Sequence, residues 1–133
     1  MKPLPQPNAI TQRFWSSCAA GRFVFQHCRK CGHRQFPPRL ACTRCHSADL
    51  DWREASGRGT VYSCTVVHRA PLDAFKADVP YVIAIIELEE GVRAMVNVRV
   101  PDSASVTIGM PIEIFFEPTA DGAPPLPQAR RRS

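Results

Sequence analysis

Cys28-Arg29-Lys30-Cys31-Gly32, ten residues between the pairs, then Cys42-Thr43-Arg44-Cys45-His46: this is the stretch that decides the fold. Two Cys-x-x-Cys pairs at this separation suit a tetrahedral Zn²⁺ site, each pair on a tight turn that aims two sulfurs at one metal from about 2.3 Å. Gly32 stands directly after the first pair, where such a turn needs a residue tolerant of positive φ. Cys28, Cys31, Cys42 and Cys45 are therefore the expected ligands of a structural zinc ion, with four sulfurs leaving no open position for a catalytic water.

The alternatives are weaker. A disulfide framework needs export, and Met1-Lys2-Pro3-Leu4-Pro5 has no apolar stretch resembling a signal peptide, so the expected location is the cytoplasm. Cys42-Thr43-Arg44-Cys45-His46 matches the c-type haem attachment string, but that role also requires export and leaves Cys28 and Cys31 unexplained. Neither pair opens a helix after a strand, which argues against thioredoxin-like redox chemistry. His27, His33 and His46 crowd the pairs and are read as imidazoles outside the ligand set.

Working outward, Arg22–His27 reads as a strand entering the first turn, His33–Phe36 as its return, and Asp51–Glu54 as a third short strand. Pro37-Pro38-Arg39 blocks further pairing. Residues 22–56 thus form a rubredoxin-like zinc ribbon, too small to hold together by its own core and dependent on the metal. Before it, residues 1–21 form an arm and a helix of about three turns: Asn8 is the N-cap, Ile10, Phe14, Trp15 and Cys18 follow helical spacing from Ala9, and Gly21 is the stop.

After Gly57-Arg58-Gly59 the period changes to two. Thr60–His68, Tyr81–Leu88, Arg93–Val98 and Ile112–Phe116 read as strands, with Glu89-Glu90-Gly91 turning between the middle pair, a loop carrying Phe75 from Pro71 to Pro80, and a short fifth strand near Leu126. So few short antiparallel strands are best covered by closing them, and residues 57–129 are expected to form a small OB-fold Greek-key β-barrel. The whole is mainly β. Its expected core is Val61, Tyr62, Val66, Val82, Ala84, Ile86, Met95, Val96, Ile108, Ile112, Ile114 and Phe116, with Cys64 as a small buried hydrophobe. Residues 130–133, with Arg130-Arg131-Arg132, are expected to be a solvated basic tail.

The net charge of +5 is unevenly spread: residues 1–58 carry ten Lys and Arg against three Asp and Glu, and residues 59–133 seven against nine. An anionic partner would prefer the ribbon half. No apolar run approaches the ~20 residues of a membrane span, and no membrane partner is expected.

With both modules in view, the sequence resembles the zinc-ribbon/OB-fold proteins first catalogued as domain-of-unknown-function family 35, the acyl-CoA-associated proteins. The resemblance rests on the aromatic helix ending at Gly21, Cys28-x-x-Cys31-Gly32, Phe36-Pro37-Pro38-Arg39 and Cys42-x-x-Cys45. It continues through Gly57-x-Gly59-x-Val61-Tyr62-Ser63, Pro80-Tyr81-Val82 and Ile108-Gly109-Met110-Pro111-Ile112, and covers about residues 8–118. It departs at the end, where Asp121-Gly122 leads into Ala123-Pro124-Pro125-Leu126-Pro127 in place of a longer final strand.

The resemblance implies a non-catalytic subunit that binds a thiolase-like partner, such as an acetyl-CoA acetyltransferase, a lipid-transfer-type thiolase or an aldolase, and helps hold acyl-CoA. On that reading Arg22, Arg29, Lys30, Arg34, Arg39 and Arg44 would meet the coenzyme A phosphates, and Phe14, Trp15 or Phe75 would cover the acyl-pantetheine arm. Homo- and hetero-oligomeric assemblies are both open. The rival reading is a nucleic-acid-binding module, since ribbons and OB barrels both serve that use. It is disfavoured by residues 59–129, where four basic residues face nine acidic ones. An enzyme in its own right is the third reading, but no Gly-rich phosphate loop, nucleophile elbow or open metal site is present.

Overall fold

The computed structural model describes residues 5–70, 72–119 and 122–132. One helix, α1 (Gln12–Ala19), leads into a three-stranded antiparallel ribbon ordered β2-β1-β3: β1 (Val24–Cys28), β2 (Arg34–Gln35) and β3 (Leu50–Glu54). Five more strands follow, β4 (Arg58–Val67), β5 (Tyr81–Leu88), β6 (Arg93–Arg99), β7 (Pro111–Glu117) and β8 (Leu126–Arg131), closed in the order β4-β5-β6-β8-β7. All neighbours in the barrel run antiparallel except β6 and β8, which are parallel.

The helix starts later than the spacing suggested. Asn8 does cap, but it caps the turn before α1: its Oδ1 accepts from the backbone N–H of Ile10 and of Thr11, both at 2.9 Å. Only then does the α-helix begin. Its buried face is Phe14 and Cys18, and Gly21 ends it at φ +77°.

Alternation in β5 is complete: Val82, Ala84, Ile86 and Leu88 point inward and their neighbours outward. They meet Ala94, Val96 and Val98 of β6, Val61 of β4, Ile112 of β7 and Ala129 of β8 in one continuous cluster that also takes in Phe14, Phe23 and Phe25. Ile86 and Ile112 are fully enclosed, a stabilisation of about 1.5–3 kcal/mol for each side chain. The ribbon and helix therefore share their core with the barrel.

Three expected core residues lie outside. Tyr62, Met95 and Ile108 are 49%, 71% and 73% exposed. Adjacent strand residues cannot both face inward, so burying Val61 and Val96 turns Tyr62 and Met95 out; at Tyr62 the register with β5 also shifts, between Val61 and Ser63. Ile108 sits in the turn before Gly109, ahead of β7. Val66, Ile114 and Phe116 are half-buried, as is Cys64.

The expectation of a solvated basic tail is also corrected. Arg130 and Arg131 are the last residues of β8, paired with Glu113 and Ile112, and the Arg130 Nε donates to Glu113 Oε1 at 2.9 Å. The short fifth strand near Leu126 is thus a full six-residue element that closes the barrel. Residue 121 of the expected Asp121-Gly122 turn, the N-terminal arm up to residue 4, Pro71 at the head of the Phe75 loop, and the final Ser133 lie outside the described residues. Phe75 itself is on a short 3₁₀ helix, Asp73–Asp78.

Candidate functional site

Both cysteine turns are built alike. Gly32 N–H donates to Cys28 O and His46 N–H to Cys42 O, each at 2.9 Å, and both Gly32 (φ +80°) and His46 (φ +66°) are left-handed. Cys28 N–H and Cys42 N–H then bond the carbonyls of His33 and Ser47 at 2.8 Å. The glycine was legible as a turn residue; its counterpart was not, because a non-glycine residue at positive φ is uncommon and nothing in the local sequence marks it.

The four sulfurs converge. Cys28 Sγ lies 3.6 Å from Cys45 Sγ and Cys31 Sγ 3.6 Å from Cys42 Sγ, and the four Sγ atoms lie within 4.8 Å of one another. Four sulfurs at 2.3 Å from one ion would stand about 3.8 Å apart, so this donor set fits a tetrahedral Zn²⁺. Backbone N–H groups already favour thiolates here: those of Cys31 on Cys28 and of Arg44 and Cys45 on Cys42 are all at 3.4 Å. For Cys42, burial pushes the thiol up, but the Cys45 and Arg44 amides and the Cys31 and Cys45 sulfurs pull it down to about 6. For Cys31, the His33 amide pulls down, yet burial and the surrounding sulfurs hold the group at about 11.

None of the three histidines belongs to this cluster. His27 Nδ1 lies 3.1 Å from Asp51 Oδ1 and His33 Nε2 lies 3.1 Å from Thr43 Oγ1. What sequence reasoning missed is the pair Gln26 and Gln35, both buried. Gln35 Nε2 donates to Gln26 Oε1 (2.7 Å), Gln26 Nε2 to Arg39 O (2.8 Å), and Thr43 N–H to Gln35 Oε1 (2.9 Å). These bonds hold the loop that carries Cys42 against β1 and β2. Two glutamines nine residues apart gave no signal, because only the register Gln26 opposite Gln35 makes them neighbours.

Beside the ribbon, Phe14, Trp15, Phe23 and Phe36 form one aromatic cluster with ring centroids 4.9–5.4 Å apart. Together with Ile83, Met95 and Asn97 of the barrel, and with Phe75 and Tyr81, they line a cleft of about 500 Å³. Phe14, Trp15 and Phe75 are thus brought together, although Phe14 is itself buried.

The expected basic residues are divided. Arg22 faces Glu54 at 3.8 Å, and Arg29 faces Asp49 at 3.4 Å and Asp51 at 3.7 Å. Lys30 and Arg44 are exposed on the cysteine turns. Arg34 and Arg39 instead join His33, Thr43 and Arg93 in a furrow of about 330 Å³ between ribbon and barrel. Arg93, on the barrel, was not among the expected residues. Among the described residues no helix is long and apolar enough to cross a membrane.

Fold and site together define a zinc-ribbon/OB-fold protein. Residues 15–51 match the family described as "ChsH2, rubredoxin-like zinc ribbon domain" and residues 52–117 that described as "ChsH2, C-terminal OB-fold domain". The chain is 43% identical over 90 residues to a DUF35 domain-containing scaffold protein of Methanocaldococcus jannaschii, covering 67% of this chain and 63% of that one. It is 37% identical over 112 residues to a probable enoyl-CoA hydratase alpha subunit of Thermomonospora curvata, covering 84% of this chain but 34% of that protein. The chain therefore spans only about a third of the hydratase subunit it matches. Its fold superposes on a chain of the structure described as "Ltp2-ChsH2(DUF35) aldolase" with a TM-score of 0.82 and 35% identity, over 96% of this chain and 98% of that one. The chain belongs to the DUF35 family of ChsH2-type zinc-ribbon/OB-fold proteins.

Proposed function

We propose that this chain is a non-catalytic accessory subunit that associates with a thiolase-like partner and binds acyl-CoA. The observation that carries this reading is the likeness, along nearly the whole chain, to the ChsH2(DUF35) structure described as an aldolase. The hydratase-subunit and scaffold-protein names of the sequence relatives point the same way. Zn²⁺ held by Cys28, Cys31, Cys42 and Cys45 supplies stability to the ribbon and no reaction step, since four thiolates fill its coordination shell. The cleft beside Phe14, Trp15 and Phe75, and the arginines next to it, are the candidate acyl-CoA contacts. A site of four thiolates suits a reducing compartment, and the setting in this reading is the cytoplasm.

The test is isolation of the tagged chain from its native host with identification of what accompanies it. A thiolase-like protein in near-stoichiometric amount is expected, and the purified chain alone should leave acyl thioesters unchanged. Recovery of RNA and ribosomal proteins in its place, or turnover by the isolated chain, would overturn the reading.

A further inference from the structure

We propose that the basic furrow and the aromatic cleft are two halves of one site, which takes the phosphate-bearing head of a coenzyme A thioester at Arg34, Arg39 and Arg93 and its apolar arm past Phe36. This rests on the acyl-CoA reading above and makes it specific. Phe36 lines both hollows, and on β6 the step from Arg93 to Ala94 leads from the furrow into the cleft. A ligand with an anionic head and an apolar arm would occupy both without a break.

The furrow is lined by three arginines and a histidine and by no carboxylate. Arg34 spends one guanidinium nitrogen, Nη1, on Glu90 O at 2.9 Å, which fixes it across the junction while other N–H groups stay open. Arg93 is anchored by Glu87 Oε2 at 2.9 Å and lies over the Tyr62 ring at 3.8 Å. Arg39 is exposed, and among the described residues no carboxylate lies within ion-pair distance of it. Guanidinium forks match phosphate oxygens two at a time, which favours these positions over single-point cations. By contrast Arg22 and Arg29 line neither hollow.

The full chain should be titrated calorimetrically with coenzyme A, with pantetheine, which lacks the phosphates, and with inorganic pyrophosphate. Arg39→Glu and Arg34→Glu should each weaken coenzyme A by about tenfold or more, the worth of one charge-assisted phosphate contact, and leave pantetheine unchanged. Arg69→Glu, the same charge change at an exposed residue lining neither hollow, should alter coenzyme A affinity less than about twofold. Met95→Glu, at an exposed cleft position, should weaken both coenzyme A and pantetheine. Equal losses in Arg39→Glu and Arg69→Glu would mean attraction to a diffuse basic surface and would sink the proposal, as would pyrophosphate binding as tight as coenzyme A. Coenzyme A binding untouched by either furrow variant would remove the furrow but keep the acyl-CoA reading. No binding by the unaltered chain would remove both.

Discussion

Gly59 shows how one residue constrains the barrel. It lies buried near the start of β4, opposite Leu88, and a Cβ built on it would run into Glu87 O and stand 2.9 Å from Leu88 Cα. The obstruction is backbone on the neighbouring strand, so no rotamer change relieves it. Gly59→Ala should therefore cost about 1–3 kcal/mol through forced separation of β4 and β5, seen as a lower midpoint in thermal or denaturant unfolding. A variant as stable as the parent would show that the two strands separate there freely. The sequence marked Gly59 only as the end of the segment after which the period changes to two; its need for glycine comes from a packed contact across strands. The four cysteines were the opposite case. Their spacing alone named them, since a metal's ligand geometry is written into local turns.

At the scale of elements, most strands were legible in full, and the last only as a short piece near Leu126. The alternation of β5 and β6 and the β-branched run of β4 are local signals, and these strands fall within about two residues of their expected places. Strand β8 has no such signal: Leu126-Pro127-Gln128-Ala129-Arg130-Arg131 neither alternates nor is apolar. It is a strand because β6 and β7 leave a gap that only it fills, with Ala129 fully buried and bonded edges on both sides. A chain ending at residue 125 should therefore expose two unpaired edges and self-associate. Size-exclusion chromatography with light scattering would detect this; a monomeric truncated chain with unchanged circular dichroism would contradict it.

At the scale of the whole molecule, ribbon and barrel are joined by specific bonds. Ser56 N–H donates to Glu90 Oε2 at 2.8 Å and Arg34 Nη1 to Glu90 O at 2.9 Å. The ribbon nevertheless lacks a core adequate to hold its knuckles, and structural zinc contributes on the order of 10–16 kcal/mol to small peptides of this kind. Metal removal by a chelator should thus loosen residues 22–56 while the barrel keeps its β signal in circular dichroism. Trp15 and Trp52, both half-buried against the shared core, should shift their emission to longer wavelength. Zinc added back should reverse the change. Unaltered emission and melting in metal-free protein would show that hydrogen bonds and core contacts suffice.

By itself the sequence determined the four cysteines that converge, the ribbon, and a barrel built on alternating strands, because each depends on residues close together in the chain. Tertiary structure decided which side of β4 and β6 faces inward, that Arg130 and Arg131 belong to a strand, that Gln26 meets Gln35, and that Arg93 joins Arg34 and Arg39. Those outcomes depend on register and closure between distant segments. Local pattern carries no record of them, since a shift of one residue in pairing exchanges the inner and outer faces of a strand.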